Sequence, residues 1–104
     1  MKTLSLARRP NVWHQLTDIP VTLTTCASLH GRLLAIGGND SDNKETTAIL
    51  TYNISTYSWE VISHMATARS RCLVAVLPHN ELMVVGGFAE QTETTDSVEI
   101  ATIA

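Results

Sequence analysis

Several things are scarce in this sequence, and each scarcity closes a door. Aromatic residues make up only 5% of the 104 residues, two Trp, two Tyr and one Phe, so the few rings present serve as landmarks. Two cysteines, Cys26 and Cys72, are thin for the disulfide framework of a small secreted domain. The histidines, His14, His30, His64 and His79, form no His-x-x-x-His pair, and there is no Cys-x-x-Cys, so no local zinc motif exists. Nor is there a Gly-x-Ser-x-Gly elbow to expose a nucleophilic serine. Basic residues cluster only at Arg8-Arg9 and Arg69-Ser70-Arg71 in a chain of net charge −3, which argues against a nucleic-acid footprint. No apolar run approaches the roughly 18 residues that span a bilayer, so no membrane partner is expected. The start, Met1 to Arg9, lacks the apolar stretch of a secretory signal, and a cytoplasmic location is expected. Apolar spacing never follows a 3.6-residue period for three turns, which leaves helices out of the reading.

Against this background a repeat is visible. Leu33-Leu34-Ala35-Ile36 runs into Gly37-Gly38, and Leu82-Met83-Val84-Val85 runs into Gly86-Gly87, 49 residues later. Trp13-His14-Gln15-Leu16 and Trp59-Glu60-Val61-Ile62 form a second pair, 46 residues apart. A period near 50 built from strand-like segments indicates a propeller array. With 44% apolar residues the chain has material for a core. Each cysteine follows a marker tryptophan by 13 residues. The two thus occupy similar places in neighbouring units, and both are expected to be buried free thiols, because stacked sheets stand about 10 Å apart, too far for a bridge.

The central unit reads as four strands in meander order. Thr25 to Leu29 turns at His30-Gly31-Arg32 and returns as Leu33 to Ile36. A polar loop from Asn39 to Ala48 follows, then Ile49 to Ile54, a turn at Ser55 to Ser58, and Trp59 to Ile62. The second unit repeats the plan with Cys72 to Leu77, Leu82 to Val85, a polar loop from Phe88 to Asp96, and Ser97 to Ile103. At the front, Thr3 to Leu6 and Trp13 to Leu16 read as the last strands of a preceding unit. The expected organisation is therefore the end of one blade and a connection over 1–23, a complete blade over 24–63, and a blade lacking its fourth strand over 64–104.

The paired glycines, Tyr52 fourteen residues after Gly38, and Trp59 seven beyond it resemble the kelch repeat, and the pattern continues through Ala68-Arg69-Ser70 to Gly86-Gly87. Leu6 and Ala101 stand in the tyrosine slots of the flanking units, and Val21-Thr22-Leu23-Thr24 lacks the arginine that Arg69 supplies. The resemblance implies an all-β partial propeller of about two blades that binds partner proteins through its loops. Trp13, Gly37, Gly38, Tyr52, Trp59, Gly86 and Gly87 have an architectural reading: glycine permits close backbone approach, and the rings pack within and between blades with their polar atoms on backbone partners.

Antiparallel order sorts the loops. The loop between second and third strands and the connection between blades share one face, and the tight turns lie on the other. The first face gathers Asp40, Asp42 and Glu45, then Glu90, Glu93 and Asp96, with Arg69 and Arg71 in the connection. These are the candidate partner-binding residues, since long polar loops on a rigid sheet are where recognition concentrates. Asp40-Ser41-Asp42 begins like a calcium loop, but no glycine follows at the sharp turn and position twelve is Thr51 instead of Glu. No cofactor or metal is expected. The function expected is a non-catalytic protein-interaction module, an adaptor or scaffold surface. The alternative is part of an enzyme-type kelch propeller, an oxidase or sugar epimerase. Propellers have about 4 to 8 blades. Two blades therefore imply either a portion of a longer propeller or several copies closing a ring, with Trp13 to Leu16 filling the vacant strand position of a neighbour.

Overall fold

A computed structural model describes residue 13, residues 15–89 and residues 93–103. All the regular structure among them is β. The first sheet comprises β1 (Thr25–Leu29), β2 (Arg32–Ile36), β3 (Ala48–Asn53) and β4 (Ser58–His64), antiparallel and in sequence order. The second comprises β5 (Leu73–Leu77), β6 (Glu81–Val85) and β9 (Val98–Thr102) in the same order. Between β6 and β9 lies a small hairpin of two-residue strands, β7 (Phe88–Ala89) and β8 (Glu93–Thr94). The expected loop from Phe88 to Asp96 is thus partly paired, which strands this short cannot announce by periodicity.

Local chemistry sets the turns. His30 and Gly31 both have positive φ, 50° and 77°, as a two-residue hairpin turn compatible with strand twist requires. The β3–β4 turn is held by Asn53, whose Oδ1 accepts the N–H groups of Ser55 at 2.9 Å and Thr56 at 3.3 Å. The register slips once between β3 and β4, at Ile49/Leu50.

The first three strands of the two sheets share a matching register. Thr25 pairs with Ile36 and Ile36 with Ile49; correspondingly Leu73 pairs with Val85 and Val85 with Val98. Because successive side chains alternate between faces, each sheet has two distinct faces. One face of the first sheet carries Leu34, Ile36 and Ile49 into a core shared with Leu82 and Val84 from the second, all of them essentially inaccessible to water. Leu29, Met65, Cys72 and Ile103 complete that core.

The front of the chain differs from expectation. Thr3 to Leu6 lies outside the described residues. Trp13, Gln15 and Leu16 belong to no strand, and Trp13 is 93% exposed, so the two tryptophans do not occupy equivalent places. The segment after Trp13 instead lies across the first sheet: Thr17 donates its hydroxyl to the Tyr57 carbonyl at 2.6 Å. Both cysteines are free, but only Cys72 is buried; Cys26 faces outward from β1 and is exposed.

Candidate functional site

The loop face is organised by the paired glycines and the connectors that pass them. Thr22 bridges to Asn39 beside Gly38, and Ser70 bridges to Phe88 beside Gly87. A Cβ on Gly38 would lie 2.6 Å from the Thr22 carbonyl, and one on Gly87 would lie 2.5 Å from the Ser70 carbonyl. With φ of 108° and 98°, both positions also demand a conformation that side chains resist. Gly37 and Gly86 make the matching first bonds of each loop, donating to Ala48 and Ser97 carbonyls at 3.0 Å. The glycine repeat therefore marks where a connector crosses the end of each sheet.

From these anchors the β2–β3 loop is built rigidly. Asp40 Oδ1 accepts the N–H groups of Asp42 at 2.9 Å and Lys44 at 3.1 Å. Asp40 N–H donates to the Lys44 carbonyl at 2.9 Å, and Asn39 Nδ2 donates to Asn43 Oδ1 at 3.1 Å. Asp40 and Asp42 are exposed and Glu45 is half-buried. In the second unit Glu93 and Asp96 are exposed, while Glu90 lies outside the described residues. Arg71 is exposed, and its guanidinium carbon stands 5.1 Å from the centroid of the Phe88 ring, a cation–π contact that braces the second loop. Among the described residues no three His, Cys, Asp or Glu side chains gather to hold a metal ion.

Arg69 is a correction to the expected surface. Instead of lining the loop face it is fully buried. One guanidinium nitrogen donates to the carbonyls of Gly86 and Ser97, both at 3.0 Å; the other donates to Ser97 Oγ and Glu99 Oε2, both at 2.7 Å. Its own backbone carbonyl accepts Gly38 N–H at 2.9 Å. One residue thus holds the glycine turn of the first blade through its main chain and that of the second through its side chain. It cannot also meet a partner directly.

Glu99 is the residue that sequence reasoning missed. Besides Arg69 it accepts the backbone N–H groups of Ala66 at 2.7 Å and Thr67 at 3.0 Å, tying β9 to the connector. Burial pushes its carboxyl up, but the donors of Ala66, Thr67 and Arg69 outweigh that, and it sits below the ordinary value of 4.5. One signal was available. By the register, Glu99 corresponds to Leu50, and by the two connector bridges Arg69 corresponds to Val21. A pair of opposite charges in one unit stands where the other has two apolar residues.

Tyr52 and Trp59 face each other across β3 and β4, ring centroids 5.1 Å apart and edge-on at 66°. Trp59 Nε1 donates to the Thr17 carbonyl at 3.3 Å, and Thr17 N–H reaches the Tyr52 hydroxyl at 3.4 Å. At the opposite end, beside the tight turns, Leu29, His30, Arg32, Asn80 and Ile103 line an open cavity of about 340 Å³.

Two antiparallel meanders of matching register, without a helix among the described residues, make this an all-β protein of propeller-type blades, consistent with a partial propeller. Residues 20–66 match the Kelch motif, a span that runs from the first connector through β4 to Ala66. The motif falls on the unit in which Gly37-Gly38, Tyr52 and Trp59 carry the resemblance. No curated protein matches the chain at a significant level.

Proposed function

We propose that this chain is a non-catalytic protein-interaction module, an adaptor or scaffold surface that meets a partner protein with its loop face. The observation that supports this reading most is the construction of the β2–β3 loop. Asp40 spends its carboxylate on two backbone N–H groups, and the loop thereby presents Asp42 to solvent on a fixed backbone. A loop ordered in advance loses less entropy on binding than a mobile one. Asp42, Glu45, Glu93 and Asp96 give the surface an acidic character with Arg71 at its margin, and a partner with a basic or mixed surface would complement it. The two free thiols fit a cytoplasmic setting.

The test is capture of partners on the immobilised chain, compared between wild type, Asp42→Lys/Asp96→Lys and Arg71→Glu. Loss of the same partner from both variants supports the reading; an unchanged set of partners refutes the loop face. Bound copper or turnover of a sugar would replace the module reading with an enzymatic one.

A further inference from the structure

The apolar space between the two sheets does not close at the end that carries the tight turns. Because side chains alternate along a strand, Arg32 lies on the same face of β2 as Leu34 and Ile36, which are buried in the core shared with Leu82 and Val84. Leu29, the cross-strand partner of Arg32, belongs to that face too. Opposite them the last row of the second sheet is made by Asn80 and Ile103, tied together by the Ile103 N–H, which donates to the Asn80 carbonyl at 2.8 Å. Deeper in, Leu34, Ile36, Leu82 and Val84 fill the space; at this last row an arginine and an asparagine stand instead, and with His30 of the β1–β2 turn they surround the open cavity of about 340 Å³. Protein interiors ordinarily leave no such gap, and a volume of this order holds a small ligand.

The walls of the cavity divide by chemistry. Leu29 and Ile103, 4% and 5% exposed, make an apolar floor, while His30 is exposed and Arg32 and Asn80 are half-buried at the rim. His30 and Asn80 have φ of 50° and 62°, so the two turns that carry the rim are set by the backbone before any ligand arrives. We propose that this cavity binds a carboxylate carried on a short aliphatic body. Arg32 presents a planar fork of N–H donors that matches a carboxylate, the Asn80 amide and the His30 imidazole add hydrogen-bonding capacity, and the alkyl chain covers Leu29 and Ile103. A ligand charged throughout, such as phosphate, would set charge against the apolar floor. Two sources share the required chemistry, a free small acid and the last residue of a partner chain. The cavity lies at the opposite end of the sheets from the loop face and uses none of its residues, and the failure of either leaves the other standing.

The test is titration of the isotopically labelled full chain with isovalerate, followed by amide NMR. The expected result is a saturating shift confined to the amides around Leu29, His30, Arg32, Asn80 and Ile103. Isovaleramide has the shape without the charge and acetate has the charge without the chain, and each should bind at least about tenfold more weakly. Asn80→Asp keeps a residue that tolerates the left-handed turn and sets a carboxylate against that of the ligand, which should also weaken isovalerate at least about tenfold. Arg32→Gln should do the same, and Asn80→Asp decides the matter if that variant fails to fold. The tripeptide Gly-Gly-Leu separates the two sources: tighter binding than isovalerate assigns the site to the chain end of a partner, and weaker binding assigns it to a free acid. Shifts that do not saturate or that spread over the whole chain, equal binding of acid and amide, or an affinity unchanged in a folded variant overturns the proposal.

Discussion

Arg69 shows how much of this structure rests on one side chain. Its four acceptors belong to Gly86, Ser97 and Glu99, and its carbonyl serves Gly38. Arg69→Val leaves the Glu99 carboxylate without its cation and should cost about 3 kcal/mol, read from urea unfolding. Adding Glu99→Leu copies the Val21 and Leu50 of the first unit, and the double variant should recover part of that loss, since apolar replacement of a buried ion pair is often neutral. A simple sum of the two single effects would show that the pair is not coupled. Glu99 also gives the fold a pH dependence of fixed sign. Its folded pKa lies below the unfolded one, so its contribution is complete above the ordinary carboxylate range and is lost as pH falls through the folded value. Between about pH 5 and pH 3 wild type should lose more stability than Glu99→Gln, in unfolding curves measured at matched ionic strength. Arg69 was misread from sequence because a charge in a connecting segment reads as solvent-exposed. Its burial depends on a carboxylate thirty residues away, which no local pattern reports.

Among the elements, the four strands of the first sheet were legible almost to the residue. Gly37-Gly38 and Gly86-Gly87 end β2 and β6, and His30-Gly31 and Pro78-His79-Asn80 mark the hairpins, so turn chemistry fixed the boundaries. The β7–β8 hairpin was not legible, since two-residue strands carry no alternation. The segment around Trp13 misled for a different reason: likeness to Trp59-Glu60-Val61-Ile62 is a likeness of composition, whereas a strand also needs a partner edge. The two tryptophans consequently predict different outcomes. Trp59 is half-buried against Tyr52 and bonded to Thr17, and Trp59→Ala should destabilise by about 2 kcal/mol, less than a fully buried ring. Trp13→Ala at a 93% exposed position should stay within about 0.5 kcal/mol of wild type in the same thermal or urea unfolding measurement.

At the scale of the whole molecule, the exposed charges of Asp40, Asp42, Glu93, Asp96 and Arg71 lie on the loops, so salt acts on what the loop face binds. Raising ionic strength from about 50 to 500 mM should weaken capture of a loop-face partner, because exposed charges are screened beyond a few ångströms. Capture of the same partner at both salt concentrations measures this. A further consequence lies in Cys26. It is exposed on β1 while Cys72 is sealed in the core, and the chain therefore contains one fast thiol and one slow one. The rate at which a colorimetric thiol reagent consumes the slow one is a native clock for opening of the core, readable without attaching a label or altering a single residue.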